Sequence, residues 1–275
     1  MDKTINIIFF GDVVGKPGRK LVLDYITSEK LSNNNFIAVN VENASHGFGL
    51  TESNYNDFVN AGVDVMTSGN HIWDKKDIFA YIDTADKLLR PINYHNFAPG
   101  AGSGIFEKNG VKVGVINALG KVFMDSPVSA WFLIDEEIEK IKRETPIVII
   151  DFHAEATAEK IAFGRYCSER GVSAVFGTHT HVQTADEQII DGKTAYITDA
   201  GSCGAADGVI GMKYSESLNR IQKGLPERFD VADGKITQLN AVSVEIDVFS
   251  GVALNIKRIN FTKTMNEVEE IIMKG

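Results

Sequence analysis

Short apolar runs that stop abruptly at glycine or a polar residue recur through the first two-thirds of the chain, and they constrain its fold more than any other feature. Ile5–Phe10 stops at Gly11-Asp12, residues 36–39 stop at Asn40-Val41-Glu42-Asn43, and residues 63–67 lead into Gly69-Asn70-His71. Pro146–Ile150 runs into Asp151-Phe152-His153, and residues 173–176 into Gly177-Thr178-His179-Thr180-His181. Runs this short, rich in Ile, Val and Phe, read as strands buried on both faces. Helical patterns over 18–31 and 52–61 separate the first three, so right-handed crossovers into a largely parallel sheet are expected. Strand-turn-strand patterns about Gly110 and Asp191-Gly192, and a strand at Tyr196–Thr198, add antiparallel hairpins. Residues 239–261 read as two further strands joined at Ser250-Gly251, and the stretch from Thr262 as a short amphipathic helix. No repeat, linker or low-complexity tract interrupts the 275 residues, so one domain over 1–275 is expected.

In α/β sheets, ligands bind beyond the carboxyl ends of strands, where neighbouring loops converge. Five such ends bring Asp12, Glu42, Asn43, Asn70, His71, His153, His179 and His181 towards one place, including four of the chain's six histidines. Each fragment alone has a structural reading: Asp12 as a cap for the next helix, Asn70-His71 as a polar turn, His153 as a hydrogen-bonded core residue. The pair His179 and His181 differs. On extended backbone, residues i and i+2 point to one side, which lets both imidazoles face one centre. Carboxylate, amide oxygen and imidazole together suit iron, manganese or zinc better than the all-oxygen shells of magnesium or calcium.

The net charge of −9 argues against an extended nucleic-acid surface. It leaves room for small anionic substrates, because bound metal ions reverse the field locally. No apolar run reaches the ~18–20 residues of a membrane span, and the amino terminus shows no signal-peptide pattern. The two cysteines, Cys167 and Cys203, imply no disulfide framework. Cytoplasmic residence is the expectation.

The ordered set Gly11-Asp12, Glu42-Asn43, Gly69-Asn70-His71, His153 and His179-Thr180-His181 resembles the calcineurin-like metallophosphoesterase superfamily. That family's pattern is Asp-x-His, Gly-Asp, Gly-Asn-His-Asp/Glu, a lone His and Gly-His-x-His, each after a strand. Over residues 5–182 the resemblance implies an α/β (α+β) fold: a β-sandwich of mixed parallel and antiparallel strands flanked by helices. There are three departures. Val14 stands where the first motif has His, Glu42 with Asn43 stands where the bridging Asp is found, and Thr178 displaces the last motif's glycine to Gly177. These departures are similar to the YmdB-type branch, which shares the Gly-Asp-x-x-Gly-x-x-Gly-Arg opening (Gly11 to Arg19) and the Glu-Asn pair. That branch is associated with phosphodiesterase activity, including on 2′,3′-cyclic nucleotides such as 2′,3′-cAMP.

By this resemblance, two transition-metal ions would be bound per chain, iron or manganese first and zinc next. Asp12, Glu42, Asn43 and His181 would hold one; Glu42, Asn70, His153 and His179 the other, with Glu42 bridging and Asn43 replacing the imidazole lost at Val14. Hydroxide generated between two such ions attacks phosphorus in line. His71 would protonate the leaving group as general acid, a role suited to an imidazole near neutrality. Asp74 would orient His71 or cap a helix. Arg19 beside the glycines would bind phosphate or simply open a helix, His46 would touch substrate or sit in its loop, and Asp199 would line the pocket or serve the fold. Cys203 has no assignable base and is not read as a nucleophile. A phosphomonoesterase or nuclease using the same site, and a nucleotide-sensing regulatory protein, are the rival readings; a mere sensor has no need of His71. Self-association is left open, since no residue pattern speaks for a homo-oligomer.

Overall fold

The structure, a computed structural model, describes residues 3–28, 31 and 35–264. Its first half runs β1 (Thr4–Phe10), β2 (Asp12–Val13), α1 (Gly15–Ile26), β3 (Asn35–Asn40), α2 (Glu52–Asn60), β4 (Val65–Thr67) and α3 (Ile78–Tyr81), then the hairpin β5 (Ser103–Lys108) and β6 (Val111–Leu119). There follow α4 (Ile134–Lys142), β7 (Val148–His153), α5 (Thr157–Glu169), β8 (Ala174–Thr178), β9 (Gln188–Ile190), β10 (Thr194–Ile197), β11 (Ser202–Ala205), α6 (Tyr214–Lys223), β12 (Ile236–Asp247) and β13 (Ala253–Thr264).

Two mixed sheets result. The first has the order β2-β11-β12-β1-β3-β4 with β13 against β12, and the second β5-β6-β7-β8-β10-β9. β1, β3 and β4 are parallel, as are β6, β7, β8 and β10, while β12, β13, β5 and β9 supply the antiparallel pairs. The period-2 alternation of β1 explains the layering: Ile5, Ile7 and Phe9 face the second sheet, whereas Ile8 and Phe10 face α1 and α2. Phe9 meets Phe176 of the opposite sheet in a stack with centroids 4.4 Å apart. Truncating either ring to alanine would cost about 3–5 kcal/mol, typical of a buried aromatic. On the far side, Ile150, Phe152 and Val175 pack under α4 and α5. The molecule is therefore a β-sandwich with helices on both outer faces, as the family resemblance implied, where the strand and helix pattern alone pointed to a largely parallel sheet.

Several expectations need correction. The first helix runs over Gly15–Ile26, starting and ending earlier than 18–31, because Gly15 turns with φ +59° and the Thr27 hydroxyl closes the end on the Leu23 carbonyl. The helix expected from Thr262 does not begin there: Thr262–Thr264 continue β13 opposite Ile236–Gln238, and the rest of that stretch lies outside the described residues. β7 does not stop at Ile150. It continues through Asp151-Phe152-His153, whose buried alternation places Phe152 under the helices while Asp151 and His153 follow Ile149 on the inner face. Among the described residues, no helix is long and apolar enough to cross a membrane.

Candidate metal centre

At one end of the sandwich the inner layer changes from hydrocarbon to polar groups. Asp151, buried between the sheets, accepts hydrogen bonds from Asn40 at the end of β3 (2.8 Å), Thr67 at the end of β4 (2.5 Å) and Thr178 at the end of β8 (2.7 Å). Four strands are thus tied together by one carboxylate, whose pKa burial pushes up to about 7 against these three bonds. The Asn40 side-chain oxygen also accepts the Glu42 backbone N–H at 3.0 Å, an Asx turn that delivers Glu42.

Glu42, His153 and His179 form the centre of the site, with one potential donor atom from each lying within 4.8 Å of the others. His153 Nδ1 meets the Thr178 hydroxyl at 2.9 Å. That hydroxyl spends its proton on Asp151, so His153 Nδ1 carries the hydrogen and Nε2 presents a lone pair. Nε2 lies 2.6 Å from Glu42 Oε2 and 3.1 Å from His179 Nδ1. His179 Nε2 faces Glu155 at 3.1 Å. Asp12 Oδ2 accepts the His179 backbone N–H at 3.0 Å, and Asp12 Oδ1 stands 3.6 Å from His153 Nδ1.

Asp12 Oδ1, both Glu42 carboxylate oxygens and Asn70 Oδ1 are buried without a hydrogen-bond partner. Buried polar groups are nearly always paired, and here the unpaired atoms are those the sequence marked as ligands. Burial drives the Asp12 and Glu42 carboxyls up to about 7, while it lowers His153 to about 4 and His179 to about 3, keeping both imidazoles neutral. The unpaired Glu42 carboxylate beside the neutral His153 and His179 nitrogens makes a donor set that fits a divalent cation. Gly69 adds steric evidence: a Cβ there would lie 1.6 Å from Glu42 Oε2 and 2.4 Å from His153 Nε2. The backbone of β4's exit loop is pressed against the donor cluster.

His181 and Asn43 make the other flank. Asn43 Nδ2 and His181 Nε2 are 3.2 Å apart, and His181 Nδ1 donates to the Ile210 carbonyl at 3.0 Å. Contrary to the expectation from their spacing, the two histidines do not reach the site along extended backbone. His179 (φ 99°) and His181 (φ 66°) both sit in the left-handed region, as does Ile210 (φ 47°). Non-glycine residues held there cost on the order of 1–3 kcal/mol each and cluster at functional sites. Asp199 helps hold this turn. It is buried, paired with Lys160 (2.7 Å), and accepts the Thr180 N–H (3.0 Å). Asp199 therefore serves the fold and the turn.

His71 stands at the rim, about one-third exposed. Asp74 Oδ2 holds its Nδ1 at 2.9 Å, leaving Nε2 to face Glu42 Oε1 at 4.0 Å. Asp74 thus orients the imidazole, and it caps no helix, since α3 begins after Asp77. Phe48 packs edge-on against the His71 ring, with centroids 4.9 Å apart. Asp12 and Arg19 also find their places in the structure. Asp12 does not cap α1, whose cap position is Val14 with no side-chain bond, and Arg19 donates to the Ala44 carbonyl, pinning the loop after Glu42. His46, exposed at φ 60°, projects from that loop. Cys203 is buried, with its thiol pushed up to about 12 by burial. Sequence reading missed Thr178 as the orienter of His153, Glu155 beside His179, and Ile210 beneath His181. Of these only Thr178 left a trace, as a departure from the family motif.

Comparison with known proteins agrees with this geometry. The profile of the family described as YmdB-like protein matches residues 8–259. A protein of Bacillus subtilis (strain 168) named 2′,3′-cyclic-nucleotide 2′-phosphodiesterase is 45% identical over 256 residues, covering 93% of this chain and 96% of its own length. A crystal structure described as a novel phosphatase from Mycoplasma pneumoniae superposes with a TM-score of 0.86 at 34% identity, covering 98% of each chain. That of a hypothetical protein from Thermus thermophilus gives 0.84 at 31% identity, covering 94% of this chain and all of that one. The chain belongs to the YmdB-like family, and it is an enzyme of the metallophosphoesterase type.

Proposed function

We propose that this member of the YmdB-like family is a metal-dependent phosphodiesterase that opens 2′,3′-cyclic nucleotides at the 2′ ester and leaves a 3′-monophosphate. The observation that carries the reading is the buried, unpaired Glu42 carboxylate with a donor atom within 4.8 Å of donor nitrogens of neutral His153 and His179, while Asp12 Oδ1 and Asn70 Oδ1 are likewise buried and unpaired. The B. subtilis relative bears the name of this reaction.

Asp12, Glu42, Asn43 and His181 would hold one transition-metal ion, and Glu42, Asn70, His153 and His179 a second. When bound, such a pair supplies Lewis acidity, drawing charge from the phosphoryl oxygens and lowering the pKa of water. The chain's own groups do the rest. Thr178 fixes the His153 ring so that Nε2 faces the centre, and the Asp199–Lys160 pair fixes the turn bearing His179 and His181. His71, with Nδ1 on Asp74, directs Nε2 inward and gives a proton to the ribose 2′ oxygen as its bond to phosphorus breaks. Water supplies the oxygen of the new bond. Glu155, on the outer nitrogen of His179, holds that ring from the solvent side.

The test is incubation of the manganese-loaded chain with adenosine 2′,3′-cyclic phosphate and chromatographic identification of the product. Adenosine 3′-monophosphate is expected. Free adenosine with phosphate would favour the phosphomonoesterase alternative, and no hydrolysis with manganese, iron or zinc would overturn the assignment.

A further inference from the structure

A large cavity lies outside the donor cluster and shares a wall with it. Its volume is about 1110 Å³, and it runs between the start of α1, the loop bearing His46 and Phe48, and residues 228–234. Phe48 is the common wall: it lines the cavity and packs edge-on against His71. Lys75, next to the Asp74 that orients His71, also lines it.

The lining reverses the charge of the chain. Lys16, Lys20, Lys75, Lys213, Arg228 and Lys263 face three carboxylates there, in a protein whose net charge is −9. Lys20 and Lys213 are engaged by Asp24 (2.6 Å) and Asp230 (3.6 Å). Lys16, Lys75, Arg228 and Lys263 form no ion pair among the described residues. Phe48 and Phe229 supply aromatic surface beside these cations. A cationic groove with aromatic platforms is the chemistry that binds single-stranded polynucleotide, phosphates on the cations and bases on the rings.

A cyclic mononucleotide cannot use this cavity fully. Its only phosphate must sit at the donor cluster, which leaves these cations unmatched. The ribose whose 2′ oxygen departs lies on the His71 side, and in a longer chain that ribose carries the next phosphate on its 5′ oxygen. We propose that the cavity binds the nucleotides preceding the reacting one, so that the preferred substrate is a short oligoribonucleotide ending in a 2′,3′-cyclic phosphate; this rests on the reaction proposed above. The volume, slightly above the ~300–1,000 Å³ of ordinary small-molecule sites, suits more than one nucleotide. The confined patch also reconciles an acidic protein with a nucleic-acid end.

The test compares adenosine 2′,3′-cyclic phosphate with triadenylate ending in the same cyclic phosphate, on the metal-loaded full chain and on the double variant Lys16→Glu/Arg228→Glu. Both side chains are exposed, so charge reversal does not reach the core. The wild type should favour the trinucleotide in kcat/KM by about tenfold or more at low salt, the worth of roughly one good charge-assisted contact. The salt dependence should be steeper for the trinucleotide by about 1.4 in log–log slope, from two added phosphates at ~0.7 each. In the double variant the ratio of the two kcat/KM values should fall towards one. Equal kcat/KM for the two substrates, with a ratio the variant does not move, would overturn the proposal. Fluorescence anisotropy of labelled triadenylate ending in a 3′-phosphate separates this from the reaction itself. If neither cyclic substrate is opened, the reaction assignment fails, while binding weakened about 100-fold in the variant still supports the cavity and unaltered binding refutes it.

Discussion

Replacing Gly69 by alanine places one methyl group in the middle of the proposed centre. The backbone of Gly69 is outside the left-handed region, so alanine meets no conformational objection. The obstacle is space alone. The added Cβ would lie 1.6 Å from Glu42 Oε2 and 2.4 Å from His153 Cδ2 and Nε2, where ordinary contact begins at 3.4 Å. Neither neighbour is a free side-chain end. Glu42 is 1% exposed and His153 fully buried, and Thr178 grips the His153 ring. Something must move by more than an ångström, whereas metal–ligand distances tolerate about 0.2 Å. Overpacking of this kind costs about 1–3 kcal/mol, and at roughly 2–4 °C per kcal/mol for a chain near this size the Tm should fall by about 2–12 °C. Metal affinity should fall by about 100-fold or more, since losing only an outer-shell partner already costs 10–100-fold. Calorimetric metal titration and a thermal melt on the same sample read both numbers. A Gly69→Ala protein with wild-type affinity and turnover would refute the reasoning, because ligands cannot keep their places with a methyl group between them.

Three further outcomes follow from the same geometry. His71→Ala should keep its metal and lose roughly 10²–10⁴-fold in turnover, with the loss shrinking for a p-nitrophenolate leaving group; loss of metal would make His71 a ligand, and equal losses would make it a phosphate-positioning residue. Thr178→Val should weaken metal binding by about 10–100-fold by freeing the His153 ring, and an unchanged titration would show that the hydroxyl bond orients nothing. Metal affinity should fall about 100-fold from pH 8 to pH 6, because two carboxyls raised to about 7, Asp12 and Glu42, take up protons that the ion must displace, while His153 and His179, lowered to about 4 and 3, compete only in stronger acid; titrations at constant ionic strength that show no slope in this window would contradict the burial of the two carboxylates.

The strands and the place of the site were legible because both follow from one local rule, whereas the two-sheet sandwich came only from the family resemblance. An apolar run buried on both faces must end where polar groups begin, and parallel strands end together. That rule located Asp12, Glu42, His153 and His179. It failed where a side chain's direction depends on backbone that only tertiary contacts impose. His179 and His181 reach the centre through left-handed turns, not along a strand, and the carbonyl of Ile210, 29 residues away, holds one of them. Asp151 looked like a strand terminator, yet it continues β7 and ties Asn40, Thr67 and Thr178 together. No spacing announces the bond between Asn40 and Asp151, which lie 111 residues apart. The cavity was invisible for a related reason: α1, the loop at His46 and residues 228–234 each contribute a few groups that form no cluster in sequence. The end of α1 was overestimated because Leu31 continued the apolar pattern beyond the turn that closes the helix at Thr27.

The central claim, that Asp12, Glu42, Asn43, Asn70, His153, His179 and His181 hold two metal ions, is tested most directly by elemental analysis of the chain purified without chelator and then titrated with manganese, iron and zinc. Close to two transition-metal ions per chain are expected. A protein that carries none, and takes up none of the three on titration, would contradict the claim.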